Sequence, residues 1–207
     1  MAEPQPFPMF PLGTVLFPHA LLPLRVFEPR YRVMTERVLR DTREFGVVLI
    51  ERGSEVGGGD TRFDVGTVAQ IVRAEPMPDG GHVLATVGIR RLRVVRWLPD
   101  DPYPRADVVE FPDPDGDADA GARDRAHAAL DDVCAIYRER DPRVPALPAI
   151  SDDAEQASFE LSALAPIGPL DAQRLLEIPG SSERLSTLAD LLEDHARLLR
   201  AGGGLLE

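Results

Sequence analysis

Glu28 and Arg30 stand on either side of Pro29, with Phe27 before them and Tyr31 after. Such a set can hold a ligand, the aromatics against an apolar group and the charges against a polar one. A plainer account is also open. A carboxylate at the positive end of a helix gains about 0.3–1 kcal/mol, which makes Glu28 a cap and Arg30 its local partner. Phe27 and Tyr31 carry the same two readings, and for Phe27 core packing is the simpler one, as for most aromatics. A second set is Arg90, Arg91, Arg93 and Arg96, interleaved with Leu92, Val94 and Trp97. The guanidinium is a rigid fork of donors, so a strand of this kind can take an anion or a peptide carboxylate. Its alternative is a solvated face paired with acids such as Asp100 and Asp101. Phe27, Glu28, Arg30, Tyr31, Arg91 and Trp97 are therefore the candidate binding residues.

Catalytic and metal chemistry find little to work with. His19, His82, His127 and His195 are scattered, and no His-Glu-x-x-His, paired cysteine or Gly-x-Ser-x-Gly elbow occurs. The single cysteine, Cys134, forms no intramolecular disulfide and reads as a small buried hydrophobe within a helix rather than a nucleophile. Aspartates alternate over 113–119, which invites a calcium loop. Counted from Asp113, however, the sixth and twelfth places need Gly and Glu and hold Ala118 and Asp124. Self-repelling acids with Pro and Gly read instead as a solvated linker. All 23 basic residues are arginine and none is lysine. A P-loop uses lysine to reach the terminal phosphates, so that kind of ATPase is excluded. We expect no catalytic residue, no metal and no cofactor.

Charge and hydropathy narrow the partners. Residues 1–112 hold 14 arginines against 15 acids, and residues 113–207 hold 9 against 20, so a net charge of −12 falls almost wholly on the second half. Neither half carries the basic stripe that a phosphate backbone requires, which argues against nucleic acid. The first residues lack a basic start with an apolar core, and no apolar run approaches the ~20 residues that cross a bilayer. The expectation is a cytoplasmic protein with no membrane partner. A chain of 207 residues suits one large domain or two small ones and buries about 70% of its unfolded surface.

The elements that position the candidates follow from period and punctuation. Pro23 places Leu24 to Val26 in an edge or first strand. From Pro29, which suits the first turn of a helix, Tyr31, Met34 and Val38 recur at helical spacing to about Arg40. Phe45-Gly46-Val47-Val48-Leu49-Ile50 reads as a buried central strand, and 53–59 as a Gly-rich loop. Strands are expected over 65–73, 83–87, 89–98 and 106–111, with Asp79-Gly80-Gly81 as a hairpin turn. That makes about six or seven strands with one helix, consistent with a small, partly closed barrel. Beyond 121 the period is helical. Ala126, Leu130, Val133 and Tyr137 mark a first helix; Ala157, Leu161 and Leu164 mark a second from Ser151 with acids in its first turn; a third runs from Pro169 to Glu177. The fourth, from about Ser182 to Arg200, carries Leu185, Leu188, Leu192, His195 and Leu199 on one face.

The run Leu16-Phe17-Pro18, followed by Leu22-Pro23-Leu24-Arg25-Val26-Phe27-Glu28-Pro29-Arg30-Tyr31, closely resembles the start of the Lon protease N-terminal domain, or Lon substrate-binding domain. Phe45-Gly46-Val47, Gly66-Thr67-Val68-Ala69-Gln70-Ile71, Asp79-Gly80, Gly88 with Arg91, and Ala106-Asp107-Val108 are further matches. Ser158-Phe159, Gln173-Arg174-Leu175-Leu176-Glu177 and Arg184-Leu185 continue them in the family's order over most of 9–199. His19 departs from the pattern, at a place in the Leu-Phe-Pro loop where a small residue such as Gly is expected.

The resemblance implies an α+β fold, a β-rich PUA-like pseudo-barrel half at 1–112, then an acidic linker at 113–121, a C-terminal helical bundle at 122–201 and a flexible tail at 202–207. It implies a stand-alone, non-catalytic, ATP-independent module that binds unfolded or exposed protein segments, as a proteolysis or chaperone adaptor with a protease or chaperone as partner. The Lon peptidase resembles a Ser-Lys dyad enzyme, which a lysine-free chain cannot build, and the resemblance uses up the chain before an ATPase or peptidase could begin. Two modes of binding fit: an apolar groove between the two halves, or strand addition to a sheet edge. Two other classes stay open, a small-molecule-binding or hydrolytic enzyme with an unrecognised site and a structural, self-assembling subunit. The oligomeric state is not set by the sequence.

Overall fold

The computed structural model describes residues 6–52, 61–114 and 119–202. The loop expected at 53–59, the middle of the acidic run and the tail beyond Gly202 lie outside them. Contacts divide the chain into two units. The first is 1–112 with 168–177, and the second is 113–167 with 178–207.

In the first unit, Phe7–Leu12 (β1), Leu21–Val26 (β2), Glu44–Arg52 (β3), Thr61–Pro76 (β4), His82–Leu98 (β5) and Arg105–Glu110 (β6) form one six-stranded sheet, with Pro29–Leu39 (α1) and Pro169–Glu177 (α4) in the same unit. β1 pairs with β3 in parallel, and β3 with β4, β4 with β5, β5 with β6 and β6 with β1 antiparallel, so the pairings close into a ring. Closure satisfies edges that would otherwise be exposed. β2 stands outside the ring as an edge strand on the first half of β5, from Leu21↔Val87 to Val26↔His82.

Two strands expected at 83–87 and 89–98 are one strand of 17 residues. Gly88 is a docking point rather than a break. It donates to the Ala20 carbonyl at 3.0 Å, its own carbonyl accepts from the His19 amide at 2.8 Å, and a Cβ there would lie 2.2 Å from the Phe17 carbonyl oxygen. His19 meets this docking with a φ of 67°, a region that favours glycine. β4 likewise outruns its expected span, because register shifts between Val68 and Ala69 and between Ile71 and Arg73 reset its in–out alternation.

α1 begins where Pro29 fixes the first turn, and Tyr31, Met34, Thr35 and Val38 are its buried residues. Tyr31, Met34 and Val38 join Phe10, Val26, Phe45, Val47, Ile71, Leu84 and Tyr103 in the main core, each large apolar side chain contributing about 1.5–3 kcal/mol. The hairpin turn is as expected, with Gly80 at φ 79° and Asp79 Oδ1 accepting from the Gly81 amide at 2.9 Å. α4 spans the expected residues and belongs with the strands: the Gln173 Nε2 amide donates to the Val65 carbonyl at 3.0 Å.

The second unit holds Ala120–Arg140 (α2), Ala154–Leu164 (α3) and Ser181–Gly202 (α5). α2 and α5 pack against each other, and Leu130, Val133, Leu185, Leu188 and Leu192 on them are buried. α3 starts three residues later than expected because Asp153 caps it, accepting from the Gln156 amide at 2.8 Å. Leu164, expected in its buried stripe, is 41% exposed, and Phe159 is buried instead. Asp113, expected in a solvated linker, has a buried side chain that is bonded to the fully buried Arg184 at 2.8 Å. Asp119, at the other end of that run, caps α2.

Candidate functional site

The corner where β2 turns into α1 is built from opposing demands on neighbouring residues. In β2 the side chains alternate. Leu22, Leu24 and Val26 face the core, while Leu21, Pro23 and Arg25 face solvent. The strand must then bend into α1, and Phe27 falls on the bend. Core packing was the simpler reading for this aromatic, and the structure overturns it, since Phe27 is 51% exposed. Its backbone is nonetheless held. Arg32 donates from Nε to the Phe27 carbonyl at 2.7 Å and from Nη1 to the Asp79 carbonyl at 2.7 Å, tying the bend to the β4–β5 turn.

Beneath Phe27 lies a cleft of about 180 Å³, lined by β1, β2 and the start of α1. Its floor is Phe10, Leu12, Val26 and Tyr31, all buried. Phe10 and Tyr31 stack at 4.0 Å with their planes 7° apart, which makes a flat aromatic base. Pro23, Leu24, Arg25, Phe27 and Glu28 complete the walls and rim. Glu28 occupies the N-cap position of α1, but its side chain makes no capping hydrogen bond and accepts from Arg30 Nε at 3.1 Å instead. The local ion pair of the sequence reading is present and the capping bond is not. Arg30 lies over the Tyr31 ring at 4.5 Å and reaches Asp100 at 3.9 Å, so it braces the floor from behind.

The structure thus brings together Phe27, Glu28 and Tyr31 in the cleft, with Arg30 behind them. It leaves Arg91 and Trp97 apart, on the second half of β5. Arg91 is buried rather than solvated, donates to the Leu176 carbonyl of α4 at 2.7 Å and packs on the Phe111 ring at 4.2 Å. Trp97 is partly buried and donates to Asp64 at 3.3 Å under Arg62. The other arginines of β5 are surface residues as expected, with different partners. Arg90 pairs with Glu44 at 2.7 Å and Glu110 at 3.2 Å, Arg96 pairs with Asp107 at 2.6 Å, and Asp101 goes to Arg105. Hydrogen bonding to Glu44 holds the Arg90 guanidinium above its ordinary pKa, although burial works the other way.

Phe10, Leu12, Pro23, Leu24, Arg25 and Val26 line the cleft but are not among the binding residues that the sequence suggests. The alternation of β2 marks which of its residues face out, but no local pattern puts β1 beside β2, since the two are not paired and are linked only through other strands, by the shorter route β6 and β5.

What this arrangement can do is grip an apolar group. The lining holds no serine, cysteine, threonine, lysine or histidine, and so no nucleophile with an adjacent base. Elsewhere, a cleft of about 170 Å³ in the second unit includes Arg123, His127 and Asp152, with Arg123 tied to Asp124 and Asp152. The Cys134 thiol is pushed up by burial, away from nucleophilic character. His195 is partly buried, its Nε2 hydrogen-bonded with the Tyr137 hydroxyl at 2.8 Å. Among the described residues no group of three or more His, Cys, Asp or Glu could hold a metal ion, and no helix is long and apolar enough to cross a membrane.

Comparison with known proteins gives a consistent set of likenesses. Residues 6–194 match the family described as the ATP-dependent protease La (LON) substrate-binding domain. The chain is 30% identical to Lon protease 2 of Herpetosiphon aurantiacus over 93% of its own length, and 27% identical to the Lon protease of Cytophaga hutchinsonii over 95%. It spans about a quarter of those curated relatives, 24% and 25%. Among solved structures, the Lon N-terminal domain protein from Xanthomonas campestris superposes with a TM-score of 0.65 at 28% identity, covering 89% of this chain and 96% of that one. The N-terminal domain of a Mycobacterium avium complex Lon protease shares the fold, with a TM-score of 0.63 at 18% identity over 92% of this chain and all of that one.

Proposed function

This chain belongs to the family of Lon substrate-binding domains, and from that premise we propose that it is a non-catalytic module which recognises exposed apolar segments of protein clients at the β2–α1 cleft. One observation carries the reading: an aromatic side chain, Phe27, is held 51% exposed over a buried, stacked Phe10–Tyr31 floor. Leaving a large apolar group in water forgoes burial energy, while a fixed backbone lowers the entropy cost of binding.

Size favours a peptide side chain over a small molecule. At about 180 Å³ the cleft falls below the roughly 300–1,000 Å³ of small-molecule sites. An apolar anchor in this cleft also suits β2 better than strand addition to its edge, because Pro23 removes a backbone donor from the middle of that edge. Phe27, Tyr31 and Leu24 grip the anchor, Glu28 shapes the rim, Arg30 braces Tyr31 from behind, and Arg91 and Trp97 support the scaffold.

In this reading the strands of the first unit are the PUA-like pseudo-barrel that recognises clients, α2, α3 and α5 are the bundle of the second unit, and the whole acts without ATP or cofactor as a cytoplasmic adaptor to a protease or chaperone. Nucleic acid and membrane are not partners, in keeping with the acidic balance. The test is Phe27→Ala, measured by anisotropy with a labelled unfolded protein. Weaker binding at unchanged thermal stability is expected. Unchanged binding overturns the site.

A further inference from the structure

Arg25 lines the cleft and is exposed, and no described residue pairs with it. The other charge in the lining, Glu28, is already held by Arg30 at 3.1 Å. On the outer face of the sheet the cross-strand row through Arg25 runs to Val83 on β5 and Glu75 on β4. Glu75 is two strands away, at roughly 10 Å by strand spacing, and is bonded to Arg73 at 2.5 Å. The rim of an apolar cleft therefore carries one unneutralised guanidinium, a rigid fork shaped for a carboxylate.

We propose that the cleft selects client segments in which an Asp or Glu side chain lies within two residues of the apolar anchor, with Arg25 as the residue that reads it. The spacing follows from geometry. Arg25 and Phe27 are two residues apart at the end of a strand, and an extended client rises by the same ~3.3 Å per residue. A segment whose anchor enters beside Phe27 thus brings a neighbour one or two positions away over Arg25. The inference rests on the cleft being the client site.

The test uses the full chain and three labelled peptides with one Phe anchor and Glu, Gln or Arg two positions from it. Wild-type protein should bind the Glu peptide about two- to five-fold tighter than the Gln peptide, the size of an exposed ion pair, and added salt should shrink the gap. Arg25→Gln should abolish the difference, and Arg25→Glu should reverse the order in favour of the Arg peptide. Phe27→Ala should weaken all three alike. If wild type binds the three equally while Phe27→Ala still weakens them, selection by Arg25 is wrong and the cleft survives. If no peptide binds, or Phe27→Ala changes nothing, the client site falls and the selection with it. Thermal melts of each variant confirm that position 25, which is exposed, can be changed without unfolding.

Discussion

Arg184 in the helical unit and Arg25 at the β2–α1 corner are the same residue type put to opposite uses. Arg184 is fully buried, bonded to Asp113 at 2.8 Å and the Ile178 carbonyl at 2.9 Å, bonded also to the Ser158 hydroxyl, and stacked over Phe159 at 4.0 Å. Arg25 is exposed beside an aromatic that is exposed too. A buried charge with all these partners is architecture, because losing one of them strands the charge in a low dielectric. An exposed charge beside a preformed apolar cleft has nothing to hold up. Ser158, Phe159 and Arg184, which the resemblance picked out without a role, are therefore structural, whereas Phe27 and Arg25 have room to be functional.

Substitutions on both sides test that contrast. Asp113→Ala should cost about 3–5 kcal/mol of unfolding free energy in a denaturant titration, since it leaves Arg184 uncompensated; a loss under about 1 kcal/mol would mean that water reaches the guanidinium. Arg91→Ala should cost about 1–3 kcal/mol by leaving the Leu176 carbonyl unpaired, with no isolated binding defect. Gly88→Ala should cost about 1–3 kcal/mol, because its Cβ would meet a backbone oxygen that cannot step aside. His19→Gly, next to that contact, should act with the opposite sign and raise stability by about 1 kcal/mol, relieving a left-handed residue. Phe27→Ala should move stability by no more than about 0.5 kcal/mol and yet weaken client binding, the smallest effect on the fold and the largest on function.

Where a local rule decides, the fold could be read from the chain. α4 runs from Pro169 to Glu177 in sequence and structure alike, bounded by residues that can only start or stop a helix there. α1 was legible because Tyr31, Met34 and Val38 recur on one face. Long-range geometry was not legible. Gly88 looks like a strand break, and only the approach of the Phe17–Ala20 backbone shows that it is a contact within one strand. Arg91 looks like one of several surface arginines until the pairing at Gly88 slips and fixes which of them turns inward. The cleft itself depends on β1 and β2 lying close without pairing, which no local pattern encodes. The Phe27–Tyr31 stretch was nonetheless identified as the candidate site, because a strand, a proline and a helix converge on it within a few residues.

The most direct test of the central claim is an amide chemical-shift titration of the isotope-labelled chain with an unfolded client peptide bearing one Phe anchor. The cleft account expects the largest shifts at Phe10, Leu24, Val26, Phe27 and Tyr31, saturating together with binding. Saturable shifts that leave these residues untouched and gather elsewhere in the chain would contradict it.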